Sequence, residues 1–156
     1  EGLVADKQVP LFVKLPPWPR DTDNRRDILK LAETAVDAGA DGLVIANTHP
    51  IESRRLKVGR GGLSGAPLFE HTELMIADVQ ALVQGNAAII ACGGVSTAEQ
   101  VWKLMASGAS AVQLYTSFIY EGPGLPSRLN HRLVKLMSVA GIETVADITG
   151  PPPTVK

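Results

Sequence analysis

Cysteine is nearly absent from this sequence: Cys92 is the single one among 156 residues. An internal disulfide is therefore excluded, and the chain is consistent with a reducing compartment. No apolar run approaches the ~20 residues that a membrane-crossing helix needs. No signal peptide opens the chain. It starts at Glu1 rather than at a methionine, so residues upstream are expected to have been removed or to lie outside this sequence. Charge of neither sign dominates, with 15 basic against 16 acidic residues and a net charge of −1. The concentrated basic surface of a nucleic-acid-binding protein is not expected. What the chain does have is a globular balance, 45% hydrophobic and 20% charged, enough for one ordinary domain with a real core.

The apolar pattern alternates between two kinds of segment. Short, nearly continuous apolar runs at Pro10–Leu15, Gly42–Ala46, Ala87–Cys92 and Ala111–Tyr115 predict strands buried on both faces, as in a parallel sheet. Stretches of helical period lie between them. A first helix is expected to start near Asp21 to Asp23, with Ile28, Leu31, Ala32, Ala35 and Val36 inward, and to end at Gly39. A second runs from about Thr72 to Gly85 on Met75, Ile76, Val79, Leu82 and Val83. A third opens with Ser96 and Glu99, a capping-box spacing, and ends at Gly108. A fourth uses Leu129, Leu133, Leu136, Met137 and Ala140 and stops at Gly141. A short helix follows around Thr144 to Ile148, and Pro151-Pro152-Pro153 marks the tail.

A weak internal repeat relates Ala38-Gly39-Ala40-Asp41-Gly42-Leu43-Val44 to Ser107-Gly108-Ala109-Ser110-Ala111-Val112. Each copy is a helix end, a glycine turn and a strand start, so the units are parallel βα units. Four are visible. Pattern alone admits half of an eight-stranded barrel or a smaller doubly wound sheet. Between Asn47 and Pro67 lie about twenty residues of little periodicity, well above the ~4–6 of ordinary connections. This stretch follows a strand, where α/β proteins keep their sites, and holds Arg54, Arg55, Lys57, Arg60 and a glycine-rich turn.

Several groups point to chemistry. The third strand runs into Gly93-Gly94 ahead of a capped helix, and the fourth ends in Tyr115-Thr116 before a short helical turn. Glycines admit an anion close to backbone N–H groups, and helix N-termini favour negative charge. Two such turns after consecutive strands suggest a phosphate-bearing ligand; the plainer reading is two ordinary βα turns. Lys14 interrupts an apolar strand, which calls for a task or a partner, unless it is a strand-end lysine reaching water. Asn47-Thr48 can hydrogen-bond a small polar substrate or merely form an Asx turn. Cys92 reads as a small apolar filler. His49, His71 and His131 show no metal-ligand spacing and read as surface or loop residues. Trp18 reads as packing on a rim, and the arginines of the long loop as solvated surface.

These motifs, in this order and spacing, resemble dihydroorotate dehydrogenase. The resemblance runs from about Val9 to Gly150. It is carried by Gly61-Gly62-Leu63-Ser64-Gly65-Ala66-Pro67-Leu68 and by Ala109 to Thr116 with Tyr120, Gly122 and Pro123, preceded by Val13-Lys14-Leu15 and Asn47-Thr48. The Ser-Gly-x-Pro-Leu form and the Tyr-Thr pair resemble the quinone-linked class. The resemblance implies an α/β (β/α)8 TIM barrel holding one FMN. This chain, residues 1–156, would supply about its last four βα units as part of a single domain. It implies that Lys14 lies beside the flavin ring, where a cation stabilises the reduced, anionic flavin. It implies further cofactor contacts at Ala46, Ser64, Gly65, Gly93, Gly94, Tyr115 and Thr116, and substrate contacts at Asn47 and Thr48. No catalytic base is expected here: the quinone-linked class uses a serine on a loop from the earlier half. Implied partners are dihydroorotate and orotate, quinone through an N-terminal part, and either the other barrel half or a second copy. The parent enzyme would be membrane-associated, at a bacterial or mitochondrial inner membrane, and this segment itself soluble.

Three departures from the family pattern stand out. Ala46 takes the place of a common threonine, His49 of a small polar residue, and Pro16-Pro17-Trp18 of a commoner Ala-Pro-Asp stretch. Two other readings compete: another phosphate-binding barrel enzyme, an isomerase or synthase, or a non-catalytic half-barrel that binds its complement.

Overall fold

The structure, a computed structural model, describes residues 8–17 and 25–154. The expected cap near Asp21 to Asp23 and the rim position of Trp18 lie outside the described residues. Four strands form one parallel sheet: β1 (Phe12–Lys14), β2 (Gly42–Ile45), β5 (Ala88–Cys92) and β6 (Ala111–Gln113), in the order β1-β2-β5-β6. Between β1 and β2 runs α1 (Arg25–Asp37), between β2 and β5 α2 (Phe69–Val83), and between β5 and β6 α3 (Ala98–Ala106). After β6 come the short α4 (Thr116–Glu121) and the long α5 (Leu125–Ala140). All four apolar runs are thus strands, and they pair in chain order.

Strand parity decides what the sheet offers to each side. In-register partners of a parallel pair point the same way, and successive residues alternate. Leu43, Ile45, Ile89 and Ala91 face the helices and are fully buried. Met75, Ile76, Val79 and Leu104 meet them from α2 and α3. Burying a side chain of this size contributes roughly 1.5–3 kcal/mol relative to exposure. The opposite parity carries Phe12 and Lys14 on β1, Val44 on β2, Ile90 and Cys92 on β5, and Ala111 and Gln113 on β6. Most of this face stays half-buried or exposed. It is the face on which a site can form.

The internal repeat has a structural meaning. At each copy the helix closes by the same two bonds: Gly39 N–H to Val36 O and Ala40 N–H to Ala35 O, matched by Gly108 to Met105 and Ala109 to Leu104. Gly39 and Gly108 take positive φ, 91° and 110°, which only glycine does cheaply. The fourth residue of each copy then registers the preceding strand. Asp41 Oδ2 accepts the Leu11 N–H at 2.7 Å, and Ser110 Oγ accepts the Ile89 N–H at 3.4 Å. A short polar side chain is needed there, and both copies have one.

Some local expectations are corrected. The long stretch after β2 is not irregular: it folds into an antiparallel hairpin, β3 (His49–Glu52) with β4 (Arg60–Leu63). Its strands, His-Pro-Ile-Glu and Arg-Gly-Gly-Leu, contain proline and paired glycines and no run of β-branched residues, so propensity hid them. The basic residues at its tip, Arg54, Arg55, Lys57 and Arg60, are exposed, as expected. Helix α2 starts at Phe69 rather than Thr72, because a 3-10 turn at Ala66–Leu68, with Pro67 near its start, feeds directly into it. The capping box of α3 sits one residue later than expected, on Thr97 with Gln100. The Gln100 amide oxygen also takes the Ser96 N–H at 2.8 Å. Leu31 on α1 is 50% exposed, and Ala140 on α5 is exposed, so both apolar stripes are narrower than their periodicity suggested. The expected last helix is a 3-10 turn, Val145–Asp147.

Candidate active site

One large cavity, about 820 Å³, opens at the C-terminal ends of the parallel strands. That volume suits a cofactor with a substrate rather than a single small metabolite. The structure brings all ten sequence-predicted site residues to its wall. Lys14 comes from β1, Ala46, Asn47 and Thr48 from the end of β2, and Ser64 and Gly65 from the exit of the hairpin. Gly93 and Gly94 follow β5, and Tyr115 and Thr116 follow β6.

The β5 and β6 loops form the end suited to an anion. Gly94 has φ 78° and packs so tightly that a Cβ there would overlap the Phe69 backbone, lying 2.6 Å from its Cα. A side chain is thus excluded twice, by conformation and by space. Among the described residues no hydrogen bond takes the N–H of Gly93, Gly94 or Thr116. Unused N–H groups on glycine loops are the donors a phosphate accepts from. Ser117 Oγ donates to Val95 O at 2.6 Å and so ties the two loops together. The residues present therefore fit a phosphate-bearing cofactor.

The other end is polar, with Asn47 and Thr48 beside Lys14. Asn47 Oδ1 accepts the Thr48 N–H at 2.8 Å, which fixes the side chain and leaves its amide NH₂ available. Gly62 of the hairpin lies against the Thr48 side chain with no room for a Cβ. The hairpin missed in the sequence thus holds Thr48 in place and brings Ser64 and Gly65 over the cavity.

Lys14 points into the cavity, opposite to Val13 and Leu15, as strand alternation required. Its ammonium donates toward Cys92 Sγ at 3.5 Å. Cys92 is therefore not a fully buried filler. It is half-buried on the cavity wall, because it shares parity with Lys14 and Val44. Gln113 and Tyr120 also line the cavity without having been singled out as site residues. For Gln113 the sequence signal was a polar residue inside the apolar run Ala111–Tyr115, and its pairing with Cys92 puts it on the cavity face. His49 is a second correction. It is 8% exposed, not a surface residue, and its ring meets that of half-buried His71. His131 is exposed, as expected.

With this geometry in place, comparison with known proteins is decisive. The family model described as dihydroorotate dehydrogenase matches residues 2–137. The chain belongs to the dihydroorotate dehydrogenase family. It is similar to the dihydroorotate dehydrogenase (quinone) of Agrobacterium fabrum, 39% identical over 147 residues, covering 91% of this chain and 39% of that protein. The mitochondrial dihydroorotate dehydrogenase (quinone) of Oryza sativa subsp. japonica is 35% identical over 150 residues, 93% of this chain and 31% of its own length. Among solved structures, ligand-free DHODH from Eimeria tenella superposes with a TM-score of 0.78 at 36% identity, covering 92% of this chain and 40% of that one. The same enzyme in complex with ferulenol gives 0.75 at 37% identity, covering 90% and 37%. The chain thus spans about 31–40% of the length of the relatives it matches. Its four parallel βα units are part of the family's (β/α)8 barrel. Among the described residues no helix is long and apolar enough to cross a membrane.

Proposed function

We propose that this chain supplies the cofactor-phosphate and substrate-facing part of an FMN-dependent dihydroorotate dehydrogenase, which oxidises dihydroorotate to orotate in de novo pyrimidine synthesis. Residues 1–156 would form the C-terminal part of a single barrel domain, closed by strands outside this sequence. One observation carries the reading: in a chain of this family, ten residues from five separate segments converge on one cavity whose two ends have different chemistry.

Each group then has a task. The free N–H groups of Gly93, Gly94 and Thr116, with Tyr115, hold the FMN phosphate. Ala46, Ser64 and Gly65 pack along the cofactor, with Ala46 offering backbone contact only. Lys14 holds a positive charge beside the ring position, where negative charge develops. The Asn47 amide and the Thr48 hydroxyl bind and orient dihydroorotate. FMN, when bound, accepts the electrons that leave the substrate. The proton acceptor is placed on a segment outside these 156 residues, so this chain alone is inactive. Quinone as the final acceptor follows the names of the relatives, one of which, the rice protein, is mitochondrial; a membrane location for the whole enzyme is part of the same proposal.

The test is a visible absorption spectrum after FMN is added and the excess removed. It is recorded on this chain and on a full-length protein carrying it, followed by an assay of dihydroorotate oxidation. A full-length protein that stays colourless, or holds flavin yet leaves dihydroorotate untouched, would sink the reading.

A further inference from the structure

The tip of the β3–β4 hairpin is the most cationic stretch of the chain, and the proposed FMN chemistry gives it no task. Arg54, Arg55, Lys57 and Arg60 against Glu52, with His49 neutral, leave the hairpin with a net charge of +3 in a chain of net charge −1. Glu52 is the in-register partner of Arg60, yet no ion pair joins them. Among the described residues, none of the four cationic side chains has a hydrogen-bond or ion-pair partner. The tip is nevertheless ordered. Ser53 N–H donates to Gly59 O at 2.9 Å, Leu56 N–H to Ser53 O at 3.1 Å and Gly59 N–H to Leu56 O at 2.9 Å. Gly59 closes the turn at φ 72°. Leu56 folds back against Gly61, which has no room for a Cβ there. Val58, between Lys57 and Gly59, stays 76% exposed. With four residues in each strand, the tip stands roughly 10 Å along the hairpin from Thr48 and Ser64.

We propose that this tip is a contact for an anionic lipid surface, with Val58 entering the headgroup layer and the four cations meeting lipid phosphates. The charge is complementary: each Lys or Arg held near such a surface strengthens binding about fivefold. An apolar side chain set among cations is the composition of interfacial segments. Two other anionic partners fit less well. A specific protein interface takes roughly 20–30 residues a side, far more than residues 54–60 offer. A nucleic acid would meet the charges by its phosphates but give Val58 no apolar surroundings. A bilayer asks for no shape complementarity, so a small, firm, cationic turn suffices. The contact does not rest on the flavin reading.

The test uses a full-length protein carrying this chain and co-sedimentation with two kinds of vesicle, phosphatidylcholine alone and an equal mixture with phosphatidylglycerol. A preference for the anionic vesicles that shrinks with added salt is expected. The double variant Arg54→Gln/Arg55→Gln should reduce that preference at least about tenfold, and Val58→Asp should also weaken it. Lys30→Gln/Lys135→Gln, which removes two exposed cations elsewhere, should leave it unchanged. Val58→Trp reads the contact directly: brominated phosphatidylglycerol should quench its fluorescence beyond that of the parent's own tryptophans. Dihydroorotate oxidation in vesicle-free buffer stays at the parental level in every variant, so loss of the lipid contact and failure of the flavin reading are told apart. Equal binding to both vesicles, an undiminished preference in the double arginine variant, or no added quenching in Val58→Trp would overturn the proposal. Retention on duplex DNA or polyglutamate with vesicles left unbound would overturn it too, and would assign the tip to that partner.

Discussion

Lys14 on β1 reaches Cys92 Sγ on β5 at 3.5 Å, across the intervening strand β2. The two residues are 78 positions apart in sequence and meet because both have the parity that faces the cavity. A flavin over Lys14 would also cover Cys92. FMN is therefore expected to protect Cys92 from a maleimide reagent, and prior alkylation to abolish FMN retention. Equal labelling rates with and without FMN would show that the ring lies elsewhere.

Lys14→Met removes the one cation that lines this cavity among the described residues. In the full-length enzyme the rate of dihydroorotate oxidation should fall at least about tenfold, on the order of 1.4 kcal/mol in the barrier. Lys14→Arg, which keeps the charge, should restore part of it. A full rate in the methionine variant would remove Lys14 from the chemistry.

Gly94→Ala combines positive φ with a collision against the Phe69 backbone. The φ alone costs about 1–3 kcal/mol for a residue with a side chain. We expect a clear drop in the urea midpoint together with loss of the yellow colour. An alanine variant as stable as the parent would contradict the tight approach of the β5 loop to α2.

Parity predicts opposite sensitivities at adjacent residues of one strand. Ile89 is fully buried against the helices, so Ile89→Ala should cost about 2–5 kcal/mol. Ile90, half-buried on the cavity face, should cost clearly less on the same change. Denaturant unfolding of the two variants measures this directly, and equal losses would mean that the strand's register is misread.

Glu99 on α3 is held below the usual carboxylate range, first by its backbone hydrogen bond at the helix start and then by Arg132 on α5, against the opposing effect of burial. Arg132 Nε donates to Glu99 Oε1 at 3.0 Å. A carboxylate with a lowered folded-state pKa stabilises the fold above its unfolded value of about 4.3 and loses that contribution as pH falls through the folded value. Side-chain exposures of 38% and 40% keep the effect within about 1 kcal/mol. Arg132→Met should therefore cost stability at neutral pH, with the gap to the parent closing in acid. A gap that stays constant with pH would assign the loss to packing.

The α3 cap shows how near and how far local reasoning went. A polar cap followed three residues later by an acidic residue is legible at Ser96 with Glu99, and the box forms one residue later, on Thr97 with Gln100. The helix starts where Gln100 can serve both the Ser96 and Thr97 N–H groups. The hairpin was illegible for a different reason. Its strands are held by their pairing and by Gly62 fitting against Thr48, neither of which leaves a periodic trace. His49 was misread because its burial comes from α2, through His71, and a neighbour 22 positions away is invisible to a local window.

By itself the sequence determined the order of strands and helices, the turns at Gly39 and Gly108, and the motifs that mark the family. These depend on residues within a few positions of one another, where backbone sterics and side-chain alternation act directly. Only the tertiary structure decided that ten site residues share one cavity, that Cys92 stands beside Lys14, and that the ring of His49 meets that of His71. Those facts come from the parallel pairing of β1, β2 and β5 and from α2 packing beneath the hairpin. Packing between distant segments is set by the shapes that remain once every local element has formed.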